Sequence, residues 1–138
     1  MMQTRLYREQ HGRLRRLAAG LLESAADAPA ADLRTQLARL SGVIKVHLTG
    51  EDQALYPRLL QHADLEVRAK ATHYQQSMGS LAGAFGTFYA AWMKAGAIEA
   101  DRAGFGAELG DVLGALAARM DAEDGDLYAL ADRELAAV

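Results

Sequence analysis

Five ionisable residues interrupt the apolar stripes of the predicted helices: His11, His47, Glu51, Arg119 and Glu123. Each stands where helical spacing calls for a core side chain. Glutamate and arginine are almost never fully buried unless they are paired, and an unpaired carboxylate in a core is costly. A metal ion, a buried ion pair, or both must therefore compensate these charges. Imidazole together with carboxylate suits iron or manganese, and zinc less specifically.

Apolar residues at helical spacing predict four helices that position these side chains. They are expected at about residues 4–23, 32–60, 64–95 and 101–135. Thr4, Asp64 and Asp101 are candidate N-caps, and no sustained two-residue alternation indicates a strand. Four helices with short connections predict one all-α domain over residues 1–138, folded as an antiparallel up-down-up-down four-helix bundle.

The composition narrows the chemistry of any site. Apolar residues make up 51% of the 138 residues and charged residues 24%, which is typical of a folded globular domain. The chain has no cysteine, so thiolate metal sites, iron–sulfur clusters and thiol nucleophiles are excluded. Neither a signal-peptide pattern nor an uncharged stretch of membrane-spanning length is present. We therefore expect a cytoplasmic protein without a membrane partner.

Charge is distributed unevenly along the chain. Residues 1–50 carry a net charge of +4, and residues 99–138 carry −7. Two separate partners would explain this pattern, but the preferred interpretation is that the first and last helices lie side by side and neutralise each other. Basic residues on the first helix lack aromatic interleaving, so no nucleic-acid partner is expected.

Depth along the predicted bundle brings the ligand candidates together. In an up-down-up-down arrangement His11, Glu51, His73 and Glu123 fall near one end, and at about 1.5 Å per residue their depths differ by roughly 8 Å at most. His47 lies four residues before Glu51 and shares its helix face. Taken singly, His11 or His73 would more often be a helix-surface histidine. Their joint convergence with the two glutamates favours a metal site.

Other polar residues are expected to face solvent. His62 lies beside the predicted turn between the second and third helices, and Asp52, Asp124 and Asp126 lie off or at the edge of the core stripes. An internal repeat links the second and fourth helices, because residues 51–56 (EDQALY) match residues 123–128 (EDGDLY) at four of six positions.

The chain resembles the hemerythrin-like, or HHE cation-binding, domain family over essentially its whole length. The residues that carry the resemblance are Glu9-Gln10-His11, His47-x3-Glu51 followed by Leu55-Tyr56-Pro57, His73, and Glu123 followed by Leu127-Tyr128. The resemblance implies a four-helix bundle around a non-haem di-iron centre. It also implies that His11, His47 and His73 are imidazole ligands and that Glu51 and Glu123 are carboxylates bridging two metals.

Two positions depart from the family pattern. Arg119 stands where the family has a histidine four residues before the last carboxylate, and Ser77 stands where oxygen-carrying members have a second histidine on the third helix. Both missing histidines would be ligands of the same iron, so at most one tightly held metal per chain is expected. Arginine stays protonated and cannot ligate a metal. We expect Arg119 instead to form a bidentate bond with Glu51 or Glu123.

The resemblance implies a non-haem metal-binding protein in an oxygen-, iron- or stress-related role. The expected cofactor is iron, mononuclear or dinuclear, with manganese or zinc as alternatives, and the expected partner is a small ligand such as oxygen, peroxide or nitric oxide. Minor oxidase or peroxidase activity would be secondary. Glycines at four-residue spacing (Gly106, Gly110, Gly114) suit close helix packing or a homodimer. The alternative is a metal-free bundle with a buried Arg–Glu network that acts as a regulatory or interaction module.

Overall fold

The computed structural model describes residues 4–135, and nearly all of them are helical. The elements are α1 (Arg5–Ser24), α2 (Ala30–Gly50), a π-helical turn (Glu51–Leu55), α3 (Tyr56–Leu60), α4 (Leu65–Trp92), α5 (Ala97–Ala100), α6 (Arg102–Ala122), a second π-helical turn (Glu123–Leu127) and α7 (Tyr128–Glu134). Among the residues described, no helix is both long and apolar enough to cross a membrane.

The helix boundaries follow from local signals in the sequence. Asp64 caps α4 by accepting a hydrogen bond from the backbone N–H of Glu66, and Asp101 caps α6 through the N–H of Gly104. Gly96 takes a positive φ of 80° ahead of α5, a conformation that favours glycine. Thr4 was expected to cap α1, but its hydroxyl donates to Asp132 instead.

Two of the predicted helices continue through π-helical turns. α2 runs into the turn Glu51–Leu55 and on into α3, and α6 runs into the turn Glu123–Leu127 and on into α7. The residues at each junction keep right-handed helical dihedral angles. A π turn inserts one extra residue into the helical repeat and often occurs at a functional site. Each of the two turns begins at one of the predicted glutamate ligands.

The core consists of two apolar clusters with a polar layer between them. One cluster includes Leu14, Leu40 and Met120, and the other includes Tyr7, Leu55 and Leu127. Four of the buried polar residues stand between them in chain order: His11 on α1, His47 and Glu51 at the end of α2, and Glu123 after α6. The polar residues thus interrupt a core that is apolar on either side.

Opposite charges join the first helix to the end of the chain. Arg15 Nη2 lies 2.9 Å from Asp121 and 2.7 Å from Asp124, and Arg8 lies 3.5 Å from Asp132. α1 also packs directly on α6. The preferred interpretation of the charge distribution is confirmed, because the basic and acidic segments lie side by side.

Candidate metal centre

Four side chains with metal-ligating chemistry are buried together. His11, Glu51 and Glu123 have no exposed surface, and His47 is 2% exposed. They come from α1, from the α2–π-turn junction and from the turn after α6. Burying two carboxylates without compensation would be strongly unfavourable, so the arrangement calls for a cation or for protons.

The ligating atoms of these residues converge on one small region. The Nε2 atoms of His11 and His47 lie 3.1 Å apart. Oε1 of Glu123 lies 3.1 Å from His11 Nε2, and Oε1 of Glu51 lies 3.3 Å from His47 Nε2. His11, His47 and Glu123 each offer an atom within 4.8 Å of the other two. Glu51 joins them through its approach to His47.

Outer hydrogen bonds fix which nitrogen of each imidazole faces inward. Nδ1 of His11 lies 2.9 Å from Oδ1 of Asp124, and Nδ1 of His47 lies 2.7 Å from Oε1 of Gln10. Carboxylate and amide oxygens only accept, so each Nδ1 carries the hydrogen. The Nε2 lone pairs are then left for the centre, as in metal sites where a second partner orients the histidine ligand.

When both imidazoles are neutral and carry their hydrogen on Nδ1, several buried oxygens have no hydrogen-bond partner among the described residues. They are Oε1 of Glu51, both carboxylate oxygens of Glu123 and the hydroxyl of Tyr56. Buried polar atoms are nearly always satisfied, so three orphaned carboxylate oxygens beside two inward-facing imidazole nitrogens are an anomaly. A bound cation removes it, and the donor set is one that a divalent first-row metal takes.

The electrostatics of the cluster reflect its burial. Burial raises the pKa of Glu123, and the nearby Glu51 carboxylate adds to the increase while His11 opposes it. Burial by itself would lower the pKa of His11, but Glu123 and Asp124 outweigh it and raise that pKa. In the metal-free chain, protons are therefore held where a metal ion would lie.

The internal repeat has a structural counterpart that sequence reasoning did not foresee. Both copies form the two π turns, and each turn ends where a buried tyrosine, Tyr56 or Tyr128, begins the next helix. The Tyr128 hydroxyl donates to Oε2 of Glu51 at 2.5 Å and lies 3.1 Å from His11 Nε2. Tyr128 is thus part of the cluster. The match of residues 51–56 with 123–128 was the signal that could have identified it.

The orientation expected for His73 is corrected by the structure. His73 is exposed on α4, and its ring packs edge-on against Tyr74. The buried face of this half of α4 is formed by Val67, Ala71, Tyr74 and Met78. One residue along a helix turns the side chain by about 100°, so Tyr74 occupies the inward position in place of His73. Ser77 is half-buried on the same helix.

Arg119 does not form the expected bond with a glutamate. It is half-buried, and its guanidinium carbon lies 5.4 Å from the centroid of the Tyr74 ring. No hydrogen bond or ion pair within residues 4–135 joins it to Glu51 or Glu123. The buried stripe of α6 runs through Leu113, Leu116 and Met120 rather than through Arg119. The prediction of a bidentate Arg–Glu pair is wrong because Met120, rather than Arg119, occupies the inward position at this level of α6.

Two further expectations about polar residues have different outcomes. Asp124 was expected to be solvated, but it lies between His11 and Arg15 and accepts from both. His62 is half-buried near the surface, where its Nδ1 accepts from the backbone N–H of Asp64. Asp124 therefore belongs to the surroundings of the cluster, whereas His62 has its hydrogen bond at the start of α4.

Comparison with known proteins identifies the family. The model of the hemerythrin HHE cation-binding domain matches residues 2–131. Searches of curated proteins and of solved structures gave no match. The matched segment spans nearly the whole chain and includes all four buried residues of the cluster. The chain belongs to the hemerythrin HHE cation-binding domain family.

Proposed function

We propose that the protein binds one iron ion through His11, His47, Glu51 and Glu123. The observation that carries the proposal is the set of inward-facing Nε2 atoms, 3.1 Å apart, beside three buried carboxylate oxygens without partners. Two imidazoles and carboxylate oxygens form a ligand set typical of non-haem ferrous sites. Manganese and zinc are the competing metals.

The placement of the ligands suits an antiparallel up-down-up-down bundle. His11 lies in the first half of α1, whereas Glu51 and Glu123 follow the ends of α2 and α6. Helices that alternate in direction bring these positions to one level. In this arrangement α4 completes the wall of the site but supplies no ligand.

One metal per chain is favoured over two. A second ion would need further ligands near the glutamates, and the candidates for that role are exposed or unsuitable. His73 is exposed, Arg119 stays protonated, and Ser77 is a poor metal ligand. Glu51 and Glu123 therefore serve a single ion in this proposal rather than bridging two.

The proposed role is an oxygen-, iron- or stress-related one that involves a small ligand. All four ligands are buried, so only a small molecule such as oxygen, peroxide or nitric oxide could reach the ion without unfolding the site. Iron bound here would supply a ferrous–ferric redox couple and a coordination position for such a ligand. The chain's own contribution is to orient the imidazoles through Asp124 and Gln10 and to keep bulk water away from the carboxylates.

Metal analysis of reconstituted protein tests the proposal. Purified protein is loaded with ferrous iron without oxygen, desalted and analysed for bound metal, with manganese and zinc in competition. We expect about one iron per chain. His11→Ala should lower the bound iron strongly because it removes a ligand. His73→Ala is the matched control, since it removes an exposed imidazole and should leave the iron content unchanged.

Three outcomes would contradict the proposal. Protein that retains no iron under these conditions would favour the metal-free alternative. Two stoichiometric irons would show that further ligands exist. Equal losses from His11→Ala and His73→Ala would show that iron is bound by surface histidines rather than by the buried cluster.

A further inference from the structure

Tyr128 lies as close to the centre as the four proposed ligands do. Its hydroxyl oxygen is 3.1 Å from Nε2 of His11, 3.4 Å from Nε2 of His47 and 2.5 Å from Oε2 of Glu51. The side chain is completely buried. No other tyrosine in residues 4–135 makes a contact of this kind with the histidines and glutamates of the cluster.

These separations match those between neighbouring ligands of one metal ion. Nitrogen and oxygen ligands lie about 2.1 Å from a divalent first-row metal, so ligands at right angles are about 3 Å apart. The two histidine nitrogens are 3.1 Å apart, and the glutamate oxygens approach them at 3.1 and 3.3 Å. The Tyr128 oxygen meets the same histidine nitrogens at equivalent distances.

Hydrogen bonding alone does not account for the position of this oxygen. A phenol has one hydrogen to donate, and at Tyr128 it points to Glu51. When both imidazoles are neutral, as metal binding requires, their hydrogens are on Nδ1 and the two Nε2 atoms beside Tyr128 can only accept. The Tyr128 oxygen therefore lies beside two nitrogen lone pairs to which it donates no hydrogen. A cation bound by all three atoms makes these close contacts favourable.

We propose that Tyr128 is a fifth ligand of the metal and binds ferric iron through its phenolate oxygen. The inference rests on the proposed function, because it needs iron in the buried cluster. On coordination the O–H bond of Tyr128 breaks and the oxygen–iron bond forms, and Oε2 of Glu51, which already accepts that hydrogen bond, receives the proton. Glu51 keeps Oε1 for the metal.

The packing around Tyr128 holds the phenol in this position. Tyr7 stacks on its ring with centroids 5.7 Å apart, and the Arg8 guanidinium lies 5.4 Å from the ring centroid. The backbone enters α7 directly from the π turn that begins at Glu123. The extra residue of that turn changes the rotation between Glu123 and Tyr128, so that both side chains are directed into the cluster.

Visible spectroscopy of iron-loaded protein tests the inference. Phenolate bound to ferric iron gives a visible ligand-to-metal charge-transfer band and resonance-enhanced phenol vibrations. The protein is loaded with ferrous iron, oxidised with ferricyanide and measured as absorbance per bound iron. We expect the band in the natural chain, with enhanced vibrations that shift when ring-deuterated tyrosine is incorporated.

Two substitutions at equivalent positions of the internal repeat assign the band. Tyr128→Phe should abolish it per bound iron and weaken ferric more than ferrous binding. Tyr56→Phe is the matched control, because Tyr56 is also buried and also follows a π turn, and it should keep the band. If Tyr128→Phe does not fold, a variant with phenylalanine at Tyr7, Tyr56, Tyr74 and Tyr89 should still show the band.

The possible results separate this inference from the proposed function. Stoichiometric iron in the buried cluster without the band would overturn the role of Tyr128 and leave the iron site intact. Persistence of the band in Tyr128→Phe, or its loss in Tyr56→Phe or in the fourfold variant, would also overturn the role of Tyr128. Protein that takes up no iron would overturn both proposals.

Discussion

The carboxylate of Asp124 connects a buried imidazole to a surface arginine: its Oδ1 lies 2.9 Å from Nδ1 of His11, and its Oδ2 lies 2.7 Å from Arg15. Removing such an outer partner typically lowers metal affinity by about 10–100-fold. We expect a loss of this size for iron in Asp124→Ala, because His11 loses the group that orients it. A competition titration against a chromophoric chelator measures the affinity.

Asp121→Ala is the control for this prediction. Asp121 also pairs with Arg15, at 2.9 Å, but is exposed and makes no contact with His11. The control should bind iron like the natural chain. Similar losses from the two substitutions would show that total charge near α1, rather than the orientation of His11, determines the affinity.

Gln10 has the corresponding role for the second histidine. Its Oε1 accepts from Nδ1 of His47 at 2.7 Å. Gln10→Ala should lower iron affinity by about tenfold, at the lower end of the range for an outer partner, because a neutral amide raises the basicity of the imidazole less than a carboxylate does. Gln10→Glu should bind iron more tightly than the natural chain. The same competition titration applies.

The neighbouring residue provides the matched control for Gln10. Glu9 is exposed and pairs with Arg5 one turn earlier. Glu9→Ala should leave iron affinity unchanged. An unchanged affinity in both Gln10 variants would mean that the orientation of His47 is set by packing alone.

Much of the fold and of the cluster could be predicted from the sequence because apolar residues recur at helical spacing on α1 and α2. The same stripe that places Leu14 and Leu40 in the core places His11 and His47 there. The convergence of these histidines with Glu51 and Glu123 follows from helix direction and depth. The spacing of the apolar residues thus also predicted which polar residues are buried.

The errors arose where neighbouring residues compete for one inward position. On α4 either His73 or Tyr74 could face the core, and burying the larger, less polar tyrosine ring is favoured. The π turns were a second source of error, because an inserted residue changes the rotation of every side chain after it. Core positions assigned with the α-helical repeat therefore could not predict that Tyr128 contacts His11.

The buried carboxyl group of Glu123 makes the stability of the metal-free protein depend on pH. Because the pKa of Glu123 is raised above its ordinary value of 4.5 in the fold, the folded state binds more protons than the unfolded state above that pH. The free energy of unfolding should then fall as pH rises from about 4.5 through the folded-state pKa. Denaturant unfolding of chelator-treated protein at a series of pH values measures this.

Glu123→Gln should reduce that dependence and stabilise the metal-free protein above the folded-state pKa of Glu123, since it removes the charge that is buried there. Glu23→Gln, an exposed carboxyl on α1, serves as the control and should leave the slope unchanged. Iron should stabilise the natural chain most above the folded-state pKa of Glu123, where that carboxylate is ionised. Stability of the metal-free protein that rises with pH over this interval would contradict the assignment of Glu123 as a buried acid.

Arg119 should contribute little to stability, in contrast to what its sequence position indicated. Losing one partner of a buried ion pair costs about 3–5 kcal/mol, but Arg119 is half-buried and its guanidinium lies over the face of the Tyr74 ring, 5.4 Å from the centroid. Cation–π contacts of exposed groups are worth about 0.5–1 kcal/mol. Arg119→Leu should therefore lower the free energy of unfolding of the metal-free protein by no more than about 1 kcal/mol, with iron binding retained.

Arg119→Lys, which keeps the charge over the ring, is the control and should cost less. A loss near 3–5 kcal/mol in Arg119→Leu, measured by denaturant unfolding at neutral pH, would show that the guanidinium compensates Glu51 or Glu123 after all. That result would support the metal-free ion-network alternative over the iron site.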